Sequence, residues 1–258
     1  HMATLGNPKE TIAILNKYGF NFQKKFGQNF LIDTHVLEKI IRAADITKDD
    51  CVLEIGPGIG TMTQYLCENA GKVIAVEIDK NLIPILKETL ADCDNVEVLH
   101  QDILKTDINE VINRELATGK YKNVKVIGNL PYYITSPILS ALLEAECFEA
   151  VTVMVQKEVA QRIAAKPGTA DYSAFTVFCQ FYAEPELLFD VPAHCFLPQP
   201  KVTSAVITLR VRKDRPWQIT DEKIFFRTVR ASFAMRRKKL SNGLASGFPE
   251  LGKSGAAE

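Results

Sequence analysis

The chain predicts an α/β fold: a seven-stranded, mostly parallel sheet covered by helices on both faces, followed by a small helical domain. Three observations predict it. Short apolar, β-branched runs alternate with helical segments from residue 50 onward, as expected of strand–helix–strand units joined by crossovers. The first of those runs opens directly into a glycine-rich turn. After Pro216 the alternation gives way to a helical, basic segment.

The strands, in order, are "CVLEIG" (51–56), "KVIAVEID" (72–79), "VEVLHQD" (96–102), "VKVIGNL" (124–130) and "AVTVMVQ" (150–156). Between them, segments such as "TMTQYLCENA" and "KNLIPILKETLA" read as helices. "PELLFDV" and "SAVITLRVR" lie close in sequence and complete the sheet as an antiparallel pair. A helix starts near "TDEKIFFRTVRASFAMRRKKL", with Thr220 or Asp221 as its N-cap. Residues 1–214 thus make the sheet domain and 215–258 the helical one. The last stretch, "SNGLASGFPELGKSGAAE", reads as a short helical end or a frayed tail. His1-Met2 is set aside as a tag remnant, and no internal repeat is visible.

A chain of 258 residues can bury one large core, or one α/β domain with a smaller appendage. No apolar run approaches the roughly 20 residues of a membrane helix, and no signal peptide opens the chain, so a cytoplasmic protein away from membranes is expected. The six cysteines are scattered without a C-x-x-C pair, which predicts reduced thiols and no metal site. The 31 basic and 31 acidic side chains cancel, but only in sum. "RTVRASFAMRRKK" (227–239) holds six basic residues and no acid, "LRVRKDR" (209–215) adds four against one, and Lys24-Lys25 sit near the amino end. Such clusters fit a protein that holds a polyanion on one face. A solvated helix face is the plainer alternative.

"LEIGPGIG" places Gly56, Gly58 and Gly60 directly after the first strand of the alternation. Glycines there let the backbone turn tightly and approach a ligand. The spacing is G-x-G-x-G rather than the dinucleotide G-x-G-x-x-G, so a pyrophosphate cradle is less well supported. The second strand ends in Glu77, where a carboxylate can accept from both hydroxyls of a ribose. The third ends in Asp102, suited to the amino edge of an adenine. Ligands in open α/β sheets sit at the carboxyl ends of strands, and these polar ends suggest a nucleoside without phosphates, S-adenosylmethionine. The plain alternative for Glu77 and Asp102 is capping of the helices that follow.

The fourth strand ends in Asn129-Leu130-Pro131-Tyr132. An exocyclic amino group of a base is a poor nucleophile, because its lone pair is delocalised into the ring. Two acceptors holding its hydrogens out of plane would favour the tetrahedral nitrogen needed for attack. The Asn129 side-chain oxygen can be one and the Leu130 carbonyl the other, with Pro131 restricting Leu130 to extended geometry. Tyr132 offers a flat face, and base–aromatic stacking is worth roughly 1–3 kcal/mol. A cysteine nucleophile is disfavoured, since the chain has no Pro-Cys pair. Taken alone, the four residues could be a strand-terminating turn.

"KKFGQNFLID", "LEIGPGIGTMT", "VEID", "QDIL", "NLPYYITSPIL" and "CFLPQPKVTSAVI" together resemble the ribosomal RNA adenine N6,N6-dimethyltransferases, from about residue 20 to 240. The Phe196–Val206 stretch is most similar to the bacterial small-subunit branch. The resemblance implies a Rossmann-like methyltransferase fold that uses S-adenosylmethionine and releases S-adenosylhomocysteine. It assigns donor binding to Asn29, Leu31, Gly56, Gly58, Glu77, Ile78, Asp102, Ile103 and Asn129. It gives Asn129, Leu130, Pro131 and Tyr132 the target adenine, with Phe196 as a second stacking face. The implied substrate is a pair of adjacent adenosines in the hairpin loop near the 3′ end of 16S rRNA in the immature 30S subunit, each methylated twice. A splayed loop base suits such a pocket. The implied RNA-contacting residues are Arg227, Arg230, Arg236, Arg237 and Lys238, on a protein acting as a monomer. "KKFGQNFL" is read as a flap over the donor, or as a loop on the sheet edge. The chain stops soon after Gly252, short of where relatives usually end, which leaves the last helices open. Two other functions stay open: methylation of large-subunit rRNA, and a ribosome-assembly role in which binding matters more than methylation.

Overall fold

The computed structural model describes residues 5–257; His1-Met2 lies outside them. Among the described residues nine strands form: β1 (Phe30–Leu31), β2 (Asp50–Ile55), β3 (Lys72–Glu77), β4 (Val96–His100), β5 (Asn123–Asn129), β6 (Ala150–Gln156), β7 (Ala183–Val191), β8 (Phe196–Leu197) and β9 (Ser204–Val211). Seven make the main sheet, in the order β4-β3-β2-β5-β6-β9-β7, and β1 pairs with β8 in a separate ribbon. Strands β2 to β6 are parallel, while β9 runs antiparallel to both β6 and β7. The expected seven strands are all present, and the late pair closes the sheet as expected.

Alternation along the strands explains the two-sided packing, since successive side chains point to opposite faces. One face sends Leu53, Ile74, Val126, Val153 and Ile207 into a core with Ile112, Leu139, Leu142 and Cys179 of the covering helices. The other sends Val52, Val73, Ile127, Met154 and Val206 against Leu37 and Ile40 of helix Thr34–Ala44 and Leu66 of helix Thr61–Asn69. The chain builds outward from β2 to β4, then returns to the other side of β2 for β5. That reversal opens a crevice at the strands' carboxyl ends.

The carboxyl-terminal segment has one of the two expected caps and departs from expectation only in where its first helix ends. Asp221, rather than Thr220, caps helix Glu222–Ala234, its Oδ1 accepting the Ile224 N–H at 3.1 Å. The helix stops at Ala234 instead of running on through the basic residues, and a second helix starts at Leu240. Arg236 marks the break: its Nη1 donates to the carbonyl of Tyr172 at 2.9 Å, pinning the turn to the loop before helix Ala174–Tyr182. Phe226 packs 5.1 Å from Phe181 and 5.2 Å from Phe178, ring centre to ring centre, so this segment is docked on the sheet domain. Helix Leu240–Gly247 crosses it at Ala231. A Cβ on Gly247 would fall 2.2 Å from that of Ala231, so only glycine permits the approach. Among the described residues, no helix is long and apolar enough to cross a membrane.

Candidate active site

The carboxyl ends of β2 to β5 border an open cleft. Its floor is the glycine turn. Gly58 has φ +61° and donates its N–H to Glu77 Oε1 at 3.1 Å. A Cβ there would come within 3.1 Å of the Phe30 ring. Glu77 ends β3 with its other oxygen accepting the Asp79 N–H at 2.9 Å. Both donors orient the carboxylate, while burial pushes its pKa up to about 7. Glu54, on β2, is buried beside it and accepts a hydrogen bond from the Thr63 hydroxyl; burial pushes it up to about 8.

Asp102 lies two residues past β4. Its Oδ1 caps the Leu104 N–H at 3.0 Å, and among the described residues its Oδ2 has no hydrogen-bond partner. The cap therefore occupies only one of the two carboxylate oxygens. Ile78, 36% exposed, and Ile103 supply apolar walls to the cleft. Gly56 and Leu31 also line the cleft. Lining residues include Glu54, Glu77 and Asp102 but, among the described residues, no lysine or arginine. Such a lining offers hydrogen-bond acceptors and no counter-charge for phosphates.

Residues 26–31 also line the cleft. The backbone oxygen of Asn29 accepts from Asn129 Nδ2 at 2.8 Å, and Asn29 Nδ2 donates to the Pro198 carbonyl at 2.6 Å. The first bond turns the Asn129 amide so that Oδ1 stays available. The Leu130 N–H is held by Met154 O at 3.1 Å and its side chain is buried, while its carbonyl accepts no hydrogen bond among the described residues. Pro131 is extended, with φ −60° and ψ 132°. The Tyr132 hydroxyl is hydrogen-bonded to Ser204 Oγ on β9, which fixes the ring at the cleft wall.

One sequence assignment needs correction, and a second residue is engaged within the protein. Phe196 is 2% exposed and packs in the core with Leu31, Val36 and Val206. Its pairing opposite Leu31 in the β1–β8 ribbon turns the ring inward, so it presents no stacking face to the cleft. Arg227 is engaged within the protein: its guanidinium donates to Gly247 O at 2.9 Å, pairs with Glu250 at 3.0 Å and lies 4.1 Å from the Phe248 ring centre. Arg236 is partly committed through Tyr172. Arg230, Arg237 and Lys238 are exposed.

Gln28 and Phe30 belong to the site although the sequence reading assigned them no role. Their signal lay in the flap motif itself, between residues that were assigned. Among the described residues no disulfide joins any of the six cysteines, and burial pushes the Cys51 thiol up to about 12.

A doubly wound sheet whose carboxyl-end cleft is lined by carboxyl groups and by the polar end of β5 has the architecture of a Rossmann-like methyltransferase. The model of the ribosomal RNA adenine dimethylase family matches residues 19–254, and the chain belongs to that family. It is 59% identical over 252 residues to the ribosomal RNA small subunit methyltransferase A of Lachnoclostridium phytofermentans, covering 97% of this chain and 86% of that one. The protein of the same name from Listeria innocua is 50% identical over 248 residues, covering 96% and 84%. Among solved structures, a dimethyladenosine transferase from Plasmodium falciparum superposes with a TM-score of 0.74 at 30% identity, covering 86% and 78%. The 23S rRNA methyltransferase ErmE gives 0.68 at 30% identity, covering 86% and 85%.

Proposed function

We propose that this chain methylates N6 of adenosine in small-subunit ribosomal RNA, using S-adenosylmethionine. Its substrate on this reading is the pair of adjacent adenosines in the 3′-terminal hairpin loop of 16S rRNA, each methylated twice, in the immature 30S subunit. The protein acts as a monomer in the cytoplasm. The observation that carries the reading is the pairing of a cleft lined by carboxyl groups and, among the described residues, by no lysine or arginine with an Asn129 amide whose oxygen has no hydrogen-bond partner among those residues.

Glu77 would hold the ribose, Asp102 Oδ2 the adenine amino group, and Ile78 and Ile103 the faces of that base. When bound, the donor supplies an electrophilic methyl group on a sulfonium. Asn129 Oδ1 and the Leu130 carbonyl accept the two hydrogens of the target amine and aim its lone pair into the cleft. Tyr132, anchored by Ser204, gives the target base a wall on which to stack. The work of the chain is then positioning, which can contribute roughly 7–11 kcal/mol to lowering a bimolecular barrier. The extra proton on the methylated nitrogen is acidic and leaves to water, so no side chain has to act as a base.

Likeness to the small-subunit relatives at 50–59% identity supports small-subunit RNA over the large-subunit alternative. The test is to offer the purified protein under-methylated small and large ribosomal particles with labelled donor and to map the modified bases. Label on adjacent adenosines of the small-subunit RNA is expected. Label confined to the large particle would refute the assignment, and subunit binding with no transfer would favour an assembly role.

A further inference from the structure

The flap is joined to the sheet domain in two halves. Residues 29–31 are held by the Asn129–Asn29 bond, the Asn29–Pro198 bond and the β1–β8 ribbon. Residues 20–28 have one hydrogen bond to the sheet domain among the described residues, and Gln28 makes it. Gln28 Nε2 donates to Asp79 Oδ2 at 2.7 Å, while Gln28 Oε1 accepts the backbone N–H of Gln23 at 2.7 Å. Asp79 is 1% exposed, so its carboxylate relies on protein donors in place of water. Its Oδ1 accepts from the Asn81 N–H, and its own N–H donates to Glu77 Oε2, each at 2.9 Å. One continuous chain of bonds therefore runs from the flap backbone at Gln23, through Gln28 and Asp79, to the carboxylate at the end of β3. Closure is completed by Gly27, whose left-handed φ of +59° brings it against the ring of Tyr133.

We propose that Gln28 is a positioning residue that latches residues 23–28 over the donor and couples flap closure, through Asp79, to the orientation of Glu77. The latch rests on the donor reading of the cleft given above. A single charge-assisted amide bond suits a closure that has to open for each exchange of spent for fresh donor. It is strong enough to bias the closed state and weak enough to release.

The test uses Gln28→Leu, Gln28→Glu and the paired variant Gln28→Glu with Asp79→Asn. Calorimetric titration with S-adenosylhomocysteine gives affinity, amide hydrogen exchange at Gln23 reports closure without ligand, and steady-state kinetics separates KM from kcat. Gln28→Leu is expected to expose the Gln23 amide and to weaken binding about tenfold, the effect of losing roughly one such bond, raising KM for the donor more than it lowers kcat. Gln28→Glu sets two carboxylates face to face and is expected to be worse. The paired variant restores the bond with donor and acceptor exchanged: the amide introduced at position 79 can donate to the carboxylate introduced at position 28 and still accept from the Asn81 N–H. Recovery of both affinity and Gln23 protection upholds the latch. Wild-type affinity and exchange in Gln28→Leu, or a paired variant as weak as Gln28→Glu, overturns it. If the wild type ignores the nucleoside, the donor reading fails, and the Gln23 exchange pattern across the variants still decides the latch.

Discussion

Asn129 Nδ2 lies 2.8 Å from the backbone oxygen of Asn29, one hundred residues earlier in the chain. That bond decides which end of the amide is left for a substrate. Once the nitrogen is committed to the flap, the oxygen is the group available at the cleft, beside the free carbonyl of Leu130. Asn29 and the Asn129 amide are thus one assembly, and on the proposed reading an ordered residue 29 is a condition for an ordered acceptor at Asn129.

The glycine turn makes the most local prediction. Gly58→Ala would force a side chain into a left-handed conformation, costing roughly 1–2 kcal/mol, and push it against the Phe30 ring, 3.1 Å away. Relief of that clash moves the Gly58 N–H off Glu77. Thermal unfolding is expected to shift downward, and S-adenosylhomocysteine affinity to fall more than tenfold. Unchanged affinity in a folded variant would show that this donor does not orient Glu77.

Stability against pH follows from the two buried carboxyls. Glu54 and Glu77 are raised to about 8 and about 7 by burial, whereas in the unfolded chain both titrate near 4.3. Between those limits the folded protein binds protons that the unfolded chain has released. Stability is therefore full at low pH and declines as pH rises toward 7–8. Each group contributes a slope of up to about 1.4 kcal/mol per pH unit. Glu54→Gln keeps the Thr63 bond without the charge. Denaturant melts at pH 5, 6, 7 and 8 are expected to show a shallower decline for the variant, with a gain over wild type only at the alkaline end. Parallel curves would contradict the burial argument.

The basic segment divides by surroundings, Arg227 being engaged internally while Arg237 and Lys238 are exposed. Arg227→Ala removes an internal anchor of the last helices and is expected to cost about 1 kcal/mol, modest because the group is partly solvated. Arg237→Ala and Lys238→Ala alter exposed charges and are expected to leave unfolding unchanged. Each is expected to weaken RNA binding and reduce the salt slope by roughly one phosphate contact. Filter binding across a salt series, read beside melting curves, separates the two kinds of basic residue. Equal RNA loss in Arg227→Ala with no change in melting would reverse the assignment.

The sheet was legible because β2, β3, β5 and β6 are largely buried on both faces and therefore read as short runs rich in apolar and β-branched residues. Glu77 and Asn129 stood out as polar groups ending such runs. What the sequence concealed is tertiary. Phe196 lies in a two-residue strand, too short for any periodicity to tell inside from outside, and its partner Leu31 is 165 residues earlier. The helix end at Ala234 carries no proline or glycine; the turn is pinned by a carbonyl of the loop at Tyr172. Arg227 reads as one more cation in a basic run until Glu250 and Phe248 are seen beside it. Gln28 is recognisable only once Asp79 is known to be buried within reach.

Asn129→Ala tests the central claim most directly, with single-turnover methyl transfer and S-adenosylhomocysteine affinity measured on the same preparation. Losing one of two preorganised acceptors is expected to slow transfer by about 10²–10³, the range for removing one such group, while affinity for the nucleoside changes by only a few-fold. Transfer within a few-fold of wild type would contradict the account, because the amine would then be held by something other than the amide that Asn29 orients.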